Sequence, residues 1–317
     1  MNQSEKNNRY AIITLNYILK FIDGTLVGKD KKDYSKPFRY LNKYVNAIDD
    51  LENFDNCTER TRSNTIWQCW LQGEENMPEL VRVCTESVKK HNKDREIVLI
   101  TEQNYNQFIK LPDLVIEKYK KEIIPKAQFS DIIRLALLEK YGGVWIDSTM
   151  FETGELPKDV FSSEFFTYKN PLELNFKNIK NFKQLEIICN YLNMPIMLPS
   201  TWFISSAPNN IIVSGWLKLL LEYWKSENTL IEYFIMDYFF VLLLLNNDKC
   251  RKIFSEMPTY STAPVHILAS AQSEDYDKEM FEEIKKMTPI HKMTLNYIPD
   301  TSNKNKLYFK ILERVAF

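Results

Sequence analysis

Residues 129–149 run Phe129-Ser130-Asp131-Ile132-Ile133-Arg134-Leu135-Ala136-Leu137-Leu138-Glu139-Lys140-Tyr141-Gly142-Gly143-Val144-Trp145-Ile146-Asp147-Ser148-Thr149. The pattern predicts a helix over Ser130 to Lys140, with Ser130 as its N-cap and Gly142 as its stop. Asp131 then falls in the first turn, and Arg134, three residues on, shares its face. The other positions are almost all apolar, so the helix is buried and its polar pair is conspicuous. Gly142 and Gly143 reverse the chain, Val144-Trp145-Ile146 reads as a strand, and Asp147 arrives at that strand's carboxyl end. Taken singly, Asp131 and Arg134 make an ordinary ion pair and Asp147 caps a turn. Together the three converge where open α/β sheets gather their ligands, outside the carboxyl ends of the strands.

Working outward, the same alternation continues upstream. Thr65 to Trp70 reads as a strand, residues 72–78 as a loop, and Pro78 to Lys90 as a helix that Pro78 starts. Ile97 to Thr101 is a second strand, and short helices follow over Asn104 to Ile109 and Pro112 to Tyr119. Downstream, Glu164 to Tyr168 and Thr201 to Ser205 read as strands; Asn210 to Ser226, Thr229 to Leu245 and Asp277 to Lys286 read as helices. The tail from Asn303 is basic and amphipathic. This order predicts an α/β fold, a mainly parallel sheet flanked by helices, over residues 61–317. Residues 1–60 read as a helical appendage, with Tyr40, Leu41, Tyr44, Val45 and Ile48 at helical spacing.

Composition narrows the function. The 317 residues carry 41 basic and 42 acidic side chains, a formal net charge of -1, which argues against a general nucleic-acid binder. Five cysteines (Cys57, Cys69, Cys84, Cys189, Cys250) with no C-x-x-C pair argue against a disulfide framework and a cysteine zinc site. Three histidines exclude a His-rich metal site. The run Ala11 to Leu19 is broken by Asn16 and lacks a cleavage site, and Tyr238 to Leu245 is far short of the ~20 residues a bilayer span needs. A soluble cytoplasmic protein is expected, able to sit on the inner face of a membrane. No G-x-x-x-x-G-K-[ST] loop is present, which lowers a phosphotransferase reading.

The block quoted above resembles the S-D-x-x-R…Y-G-G-x-x-x-D signature of glycosyltransferases related to the yeast mannosyltransferases and the clostridial glucosylating toxins. With Ile66-Trp67-Gln68-Cys69-Trp70-Leu71-Gln72-Gly73, Pro78 and Pro289-Ile290-His291-Lys292 added, the chain is similar from about Ile66 to Lys292 to bacterial capsular polysaccharide synthesis glycosyltransferases. The resemblance implies a GT-A fold, a nucleotide-diphosphate sugar donor (uridine or guanosine), a saccharide or polyprenol-linked oligosaccharide acceptor, and retention of anomeric configuration. It implies that Trp67 stacks on the donor base, that Gln72 and Gly143 belong to the donor site, and that Asp131 and Arg134 hold the donor sugar and its phosphate side. Asp147 opens the family's D-x-D motif, which grips Mg2+ or Mn2+. Here the third position is Thr149, a weaker ligand for a hard cation. His291 is expected to return to the diphosphate or metal. Asp237, interrupting an apolar helix, is a candidate catalytic residue, and Trp202 a candidate wall of the sugar pocket. The substitution at Thr149 also keeps open a catalytically silent sugar-nucleotide-binding protein.

Overall fold

The computed structural model describes residue 33 and residues 35–53, 62–169, 183–184 and 199–314. Cys57, Cys189, the run at Ala11 and most of the expected appendage lie outside the described residues.

Five strands form the central sheet: β1 (Thr65–Cys69), β2 (Glu96–Ile100), β3 (Gly143–Ile146), β5 (Phe165–Lys169) and β6 (Pro199–Ser206). Their order is β2-β1-β3-β6-β5. β1 runs parallel to β2 and β3, while β6 is antiparallel to both β3 and β5, so four of the five strands share one direction. A separate ribbon pairs β4 (Met150–Glu152) with β7 (Ile290–Lys292), antiparallel, with Met150 opposite Lys292 and Phe151 opposite His291. The fold is α/β, a mainly parallel sheet between helices.

Alternation along the strands feeds two different cores. Trp67, Trp145 and Ile204 face the Lys126–Tyr141 helix and pack with Ile132, Leu135, Trp216 and Phe239. Ile66, Val144, Ile146 and Phe203 face the other way and pack with Met150, Val160 and Ile290. The described helical residues ahead of β1, Lys36–Leu41 and Asn42–Asn53, bury Phe38, Leu41, Tyr44, Ile48 and Leu51 in the first of these clusters rather than in a core of their own. In the tail, the Leu307–Leu312 helix buries Leu307 and Ile311 with Leu80, Val83 and Cys84.

Two helix starts differ from the sequence reading. The helix expected at Ser130 begins at Lys126, after Pro125 in an extended conformation, so Ser130 is not its cap and Asp131 is not in its first turn. A proline pre-sets the entry to a first helical turn, and the buried Gln128 and Phe129 already belong to the helix. The helix expected from Thr229 begins at Ile235. The Tyr223 hydroxyl donates to the Thr229 carbonyl and accepts from the Ile231 N–H at 3.0 Å, which holds residues 229–231 in a loop. Gly142 does end the first helix, at φ 65°, and a Cβ there would lie 2.7 Å from the Ser206 carbonyl. No described helix is long and apolar enough to cross a membrane.

Candidate active site

The parallel strands β1 and β3 end side by side, and a cleft of about 280 Å3 opens at their carboxyl ends. The Ser148 hydroxyl donates to the Cys69 carbonyl at 2.7 Å and ties the two ends together. Asp131, Arg134, Asp147, Thr149 and Asp237 all line this cleft, with Trp70, Tyr233 and Phe234 at its apolar side. The convergence read from the 129–149 block is therefore present in three dimensions.

Arg134 is its hub. One nitrogen, Nη1, donates to the Thr201 carbonyl at 2.7 Å and lies 3.3 Å from Asp131 Oδ1; the other, Nη2, lies 3.2 Å from Asp147 Oδ1. The guanidinium carbon sits 4.7 Å from the centre of the Trp145 ring, whose Nε1 donates to the same Asp147 oxygen at 2.8 Å. A planar fork can serve a carbonyl and two carboxylates at once, which an ammonium cannot.

The second oxygen of Asp147 is taken by a residue that the sequence reading passed over. Lys292 Nζ lies 2.7 Å from Asp147 Oδ2 and 2.8 Å from Thr149 Oγ1. The β4–β7 ribbon puts it there: Lys292 is registered against Met150, and the Met293 N–H donates to the Thr149 carbonyl at 2.9 Å. The neighbouring His291 projects to the opposite face. It is fully buried beside Phe151, with Nε2 3.0 Å from Thr153 Oγ1, and does not line the cleft. Successive strand residues face opposite ways, so a one-position error in naming the site residue on a three-residue strand exchanges core for cleft.

The three cleft carboxyls differ in charge. Burial raises the Asp147 pKa, but Lys292 and Arg134 more than offset it and hold the group at about 2, so it is ionised. Burial lifts Asp131 to about 6 against the pull of Arg134. Burial and the nearby Asp131 push Asp237 up to about 8, so it holds its proton at neutral pH and can donate a hydrogen bond. Opposed environments for neighbouring carboxyls are a recurrent arrangement where acid and base roles divide.

Four other expectations are corrected. Trp67 is buried, its Nε1 donates to the Gly142 carbonyl at 3.0 Å and its ring packs on Phe108 and Tyr141, so it stacks on protein and not on a base. Trp70, just past the end of β1, and Trp145 are the indoles that line the cleft. Gln72 is exposed in the following turn and lies outside the cleft. Gly143 stands at the start of β3, the end away from Asp147; its φ is 92° and a Cβ would meet the Thr65 carbonyl at 2.5 Å, which makes it a packing residue. Trp202 belongs to the opposite sheet face, against Tyr168 and His266, although its carbonyl accepts from the Asp147 N–H at 2.9 Å. The carbonyl of its neighbour Thr201 is the one that positions Arg134.

The expected ligands for Mg2+ or Mn2+ were Asp147, Thr149 and His291. As arranged, they do not fit. His291 faces the core, and an ammonium is already bonded to the other two. Among the described residues no group of three or more His, Cys, Asp or Glu side chains could hold a metal. Hard divalent cations want about six oxygens, several of them charged.

No curated protein matches the chain by sequence. Among solved structures, the PaToxG glycosyltransferase is similar at a TM-score of 0.38 and 13% identity, with 80% of this chain and 94% of that chain covered. The sequence model of the capsular polysaccharide synthesis protein family matches residues 21–311, nearly the whole chain, and the chain belongs to that family.

Proposed function

We propose that this chain is a glycosyltransferase that moves a sugar, a hexose by preference, from a nucleoside diphosphate donor to a saccharide acceptor in capsule or exopolysaccharide synthesis. The observation that carries this reading is the cleft itself. At the carboxyl ends of two parallel strands it combines an ionised carboxylate flanked by two cations, two further carboxyls in raised states and an aromatic rim.

Each part has a use in glycosyl transfer. The donor's bond between the anomeric carbon and the β-phosphate oxygen breaks, and its electron pair stays on the diphosphate. The acceptor hydroxyl oxygen bonds to the anomeric carbon, and its proton ends on the departing diphosphate. The carbon passes through an oxocarbenium-like state, which the carboxylate of Asp147 or Asp131 stabilises by charge. Arg134 fixes both carboxylates so that they need not reorganise as charge develops. The protonated Asp237 orients a sugar hydroxyl by donation. Departure and attack on the same face would retain anomeric configuration, as the resemblance implies. Trp70, Tyr233 and Phe234 offer flat apolar faces to the nucleoside base or to acceptor sugar rings. Tyr233 and Phe234 are 62% and 44% exposed at the mouth of the cleft, the placement an acceptor tethered to a polyprenol at the cytoplasmic face of a membrane would need.

Incubation of the purified chain with a panel of uridine and guanosine diphosphate sugars tests the reading. Release of nucleoside diphosphate from one or two donors, raised by an oligosaccharide acceptor, is expected. Tight donor binding without hydrolysis or transfer would favour a silent sugar-nucleotide-binding protein. Failure of every donor to bind would overturn both.

A further inference from the structure

We infer, on the basis of the donor-site reading above, that the Lys292 ammonium supplies at the donor diphosphate the positive charge that a divalent cation supplies in transferases with two motif carboxylates, and that transfer by this chain needs no metal. The ammonium lies within 2.8 Å of both motif side chains, Asp147 and Thr149, the place a bridging cation would take. A divalent ion brought to the same two oxygens would stand against Lys292 and close to Arg134, and like charges at that range repel strongly in a half-buried cleft.

Thr149 is the substitution this arrangement favours. A hydroxyl can accept a hydrogen bond from an ammonium, more weakly than a carboxylate, and it adds no charge. Lys292 and Arg134 already balance Asp147 and Asp131; a second motif carboxylate would turn the balance negative against the diphosphate. An ammonium has three N–H donors, and Lys292 uses two. The third has no protein acceptor among the described residues, and the side chain is 24% exposed beside the cleft. When the anomeric carbon–oxygen bond breaks and the electron pair passes to the β-phosphate oxygen, that N–H donates to the oxygen gaining charge. The register of β4 on β7 holds the group in place beforehand, so no ion has to be recruited.

The test uses the full chain with UDP and GDP as probes, by titration calorimetry, and donor hydrolysis as the activity readout. Binding and turnover in excess chelator should match those in Mn2+ or Mg2+ within about twofold. Lys292→Met should weaken nucleoside diphosphate binding and lower kcat by about a hundredfold, as loss of a preorganised cation does. Lys292→Arg, which keeps the charge, should recover a large part of both and shows that the site folds with a long basic side chain. Wild-type binding that collapses in chelator and returns with Mn2+ would overturn the inference while leaving the donor site standing. Equal binding by Lys292→Met and wild type would also overturn it. No binding of either nucleotide under any condition would remove the donor-site reading, and this inference with it.

Discussion

Two regions meet at Asp147, and they arrive by different routes. The Lys126–Tyr141 helix and β3 form one continuous stretch, whose helix period, glycine reversal and short strand set the positions of Asp131, Arg134 and Asp147 by local geometry. The β4–β7 ribbon joins residues about 140 positions apart, and its register decides that Lys292 rather than His291 reaches Asp147 and Thr149 on the cleft wall. A local block can be read from sequence because its spacing is its geometry. A returning strand of three residues carries no such ruler, and its parity is set by packing against a partner far away in the chain.

The largest effect should come where both routes end. Asp147→Asn keeps the shape but leaves Arg134 and Lys292 without their shared carboxylate. Turnover is expected to fall by about a thousandfold, on the order of 4 kcal/mol in the transition state, with an unchanged circular dichroism spectrum. Near-normal turnover would mean that the two regions meet at a point without chemistry.

Next comes the hub of the local block. Arg134→Lys loses the fork that serves Thr201, Asp131 and Asp147 together. A drop of tenfold or more in kcat/KM is expected, roughly 1.4 kcal/mol, together with a lower Tm, since the side chain is 7% exposed. Kinetics like wild type would reduce Arg134 to a structural ion-pair partner.

Much of the architecture was legible: the positions of β1, β2 and β3, the glycine stop at Gly142 and the polar triad follow from period and punctuation. The misplacements share a cause. Trp67, Trp202 and His291 offer the chemistry, but in each case a near neighbour makes the contact: Trp70 lines the cleft, the Thr201 carbonyl holds Arg134, and Lys292 bonds Asp147. Sequence chemistry nominates residue types, whereas the face a strand residue takes depends on which core claims it. For Trp67 and Trp202 those are the two opposite sheet faces, both filled by side chains distant in sequence. The exposed loop before Ile235 was hidden for another reason: its apolar residues fit helical spacing, and side chains, the Tyr223 hydroxyl from another helix among them, bond its backbone out of the helix.

The tryptophans make that lesson measurable. Trp70→Ala is expected to weaken binding of nucleoside diphosphate or acceptor by about tenfold, within the range of one lost aromatic stack, and to leave Tm nearly unchanged. Trp67→Phe should do the reverse: it strips the bond to the Gly142 carbonyl and opens a gap beside Phe108 and Tyr141, costing about 1–3 kcal/mol of stability with ligand affinity kept. Calorimetry and thermal melts on the two variants read this exchange directly. A larger affinity loss at Trp67 would return the base-stacking role to it.

The smallest effect separates the ribbon's two faces. His291 is fully buried, and burial, with a lesser push from Lys285, lowers its pKa to about 3, so the folded chain holds it neutral. The unfolded chain titrates near 6.5. Stability from a neutral buried imidazole is therefore complete above pH 6.5 and is lost as pH falls from there toward 3, by at most about 1.4 kcal/mol per unit. His291→Asn gives up packing against Phe151 and the contact with Thr153, so it should be less stable than wild type at pH 7.5. It carries no such proton penalty, so its deficit should shrink with each step down from pH 6.5. Glu152, on the same ribbon and pushed up to about 8 by burial, destabilises the fold as pH rises, but it is present in both proteins and drops out of the difference. Denaturant melts of the pair between pH 5 and 7.5 measure that difference, and donor binding at pH 7.5 should be equal for the two. If instead His291→Asn lost donor affinity with its stability deficit constant across pH, the imidazole would belong to the cleft, and the face assigned to Lys292 would be wrong.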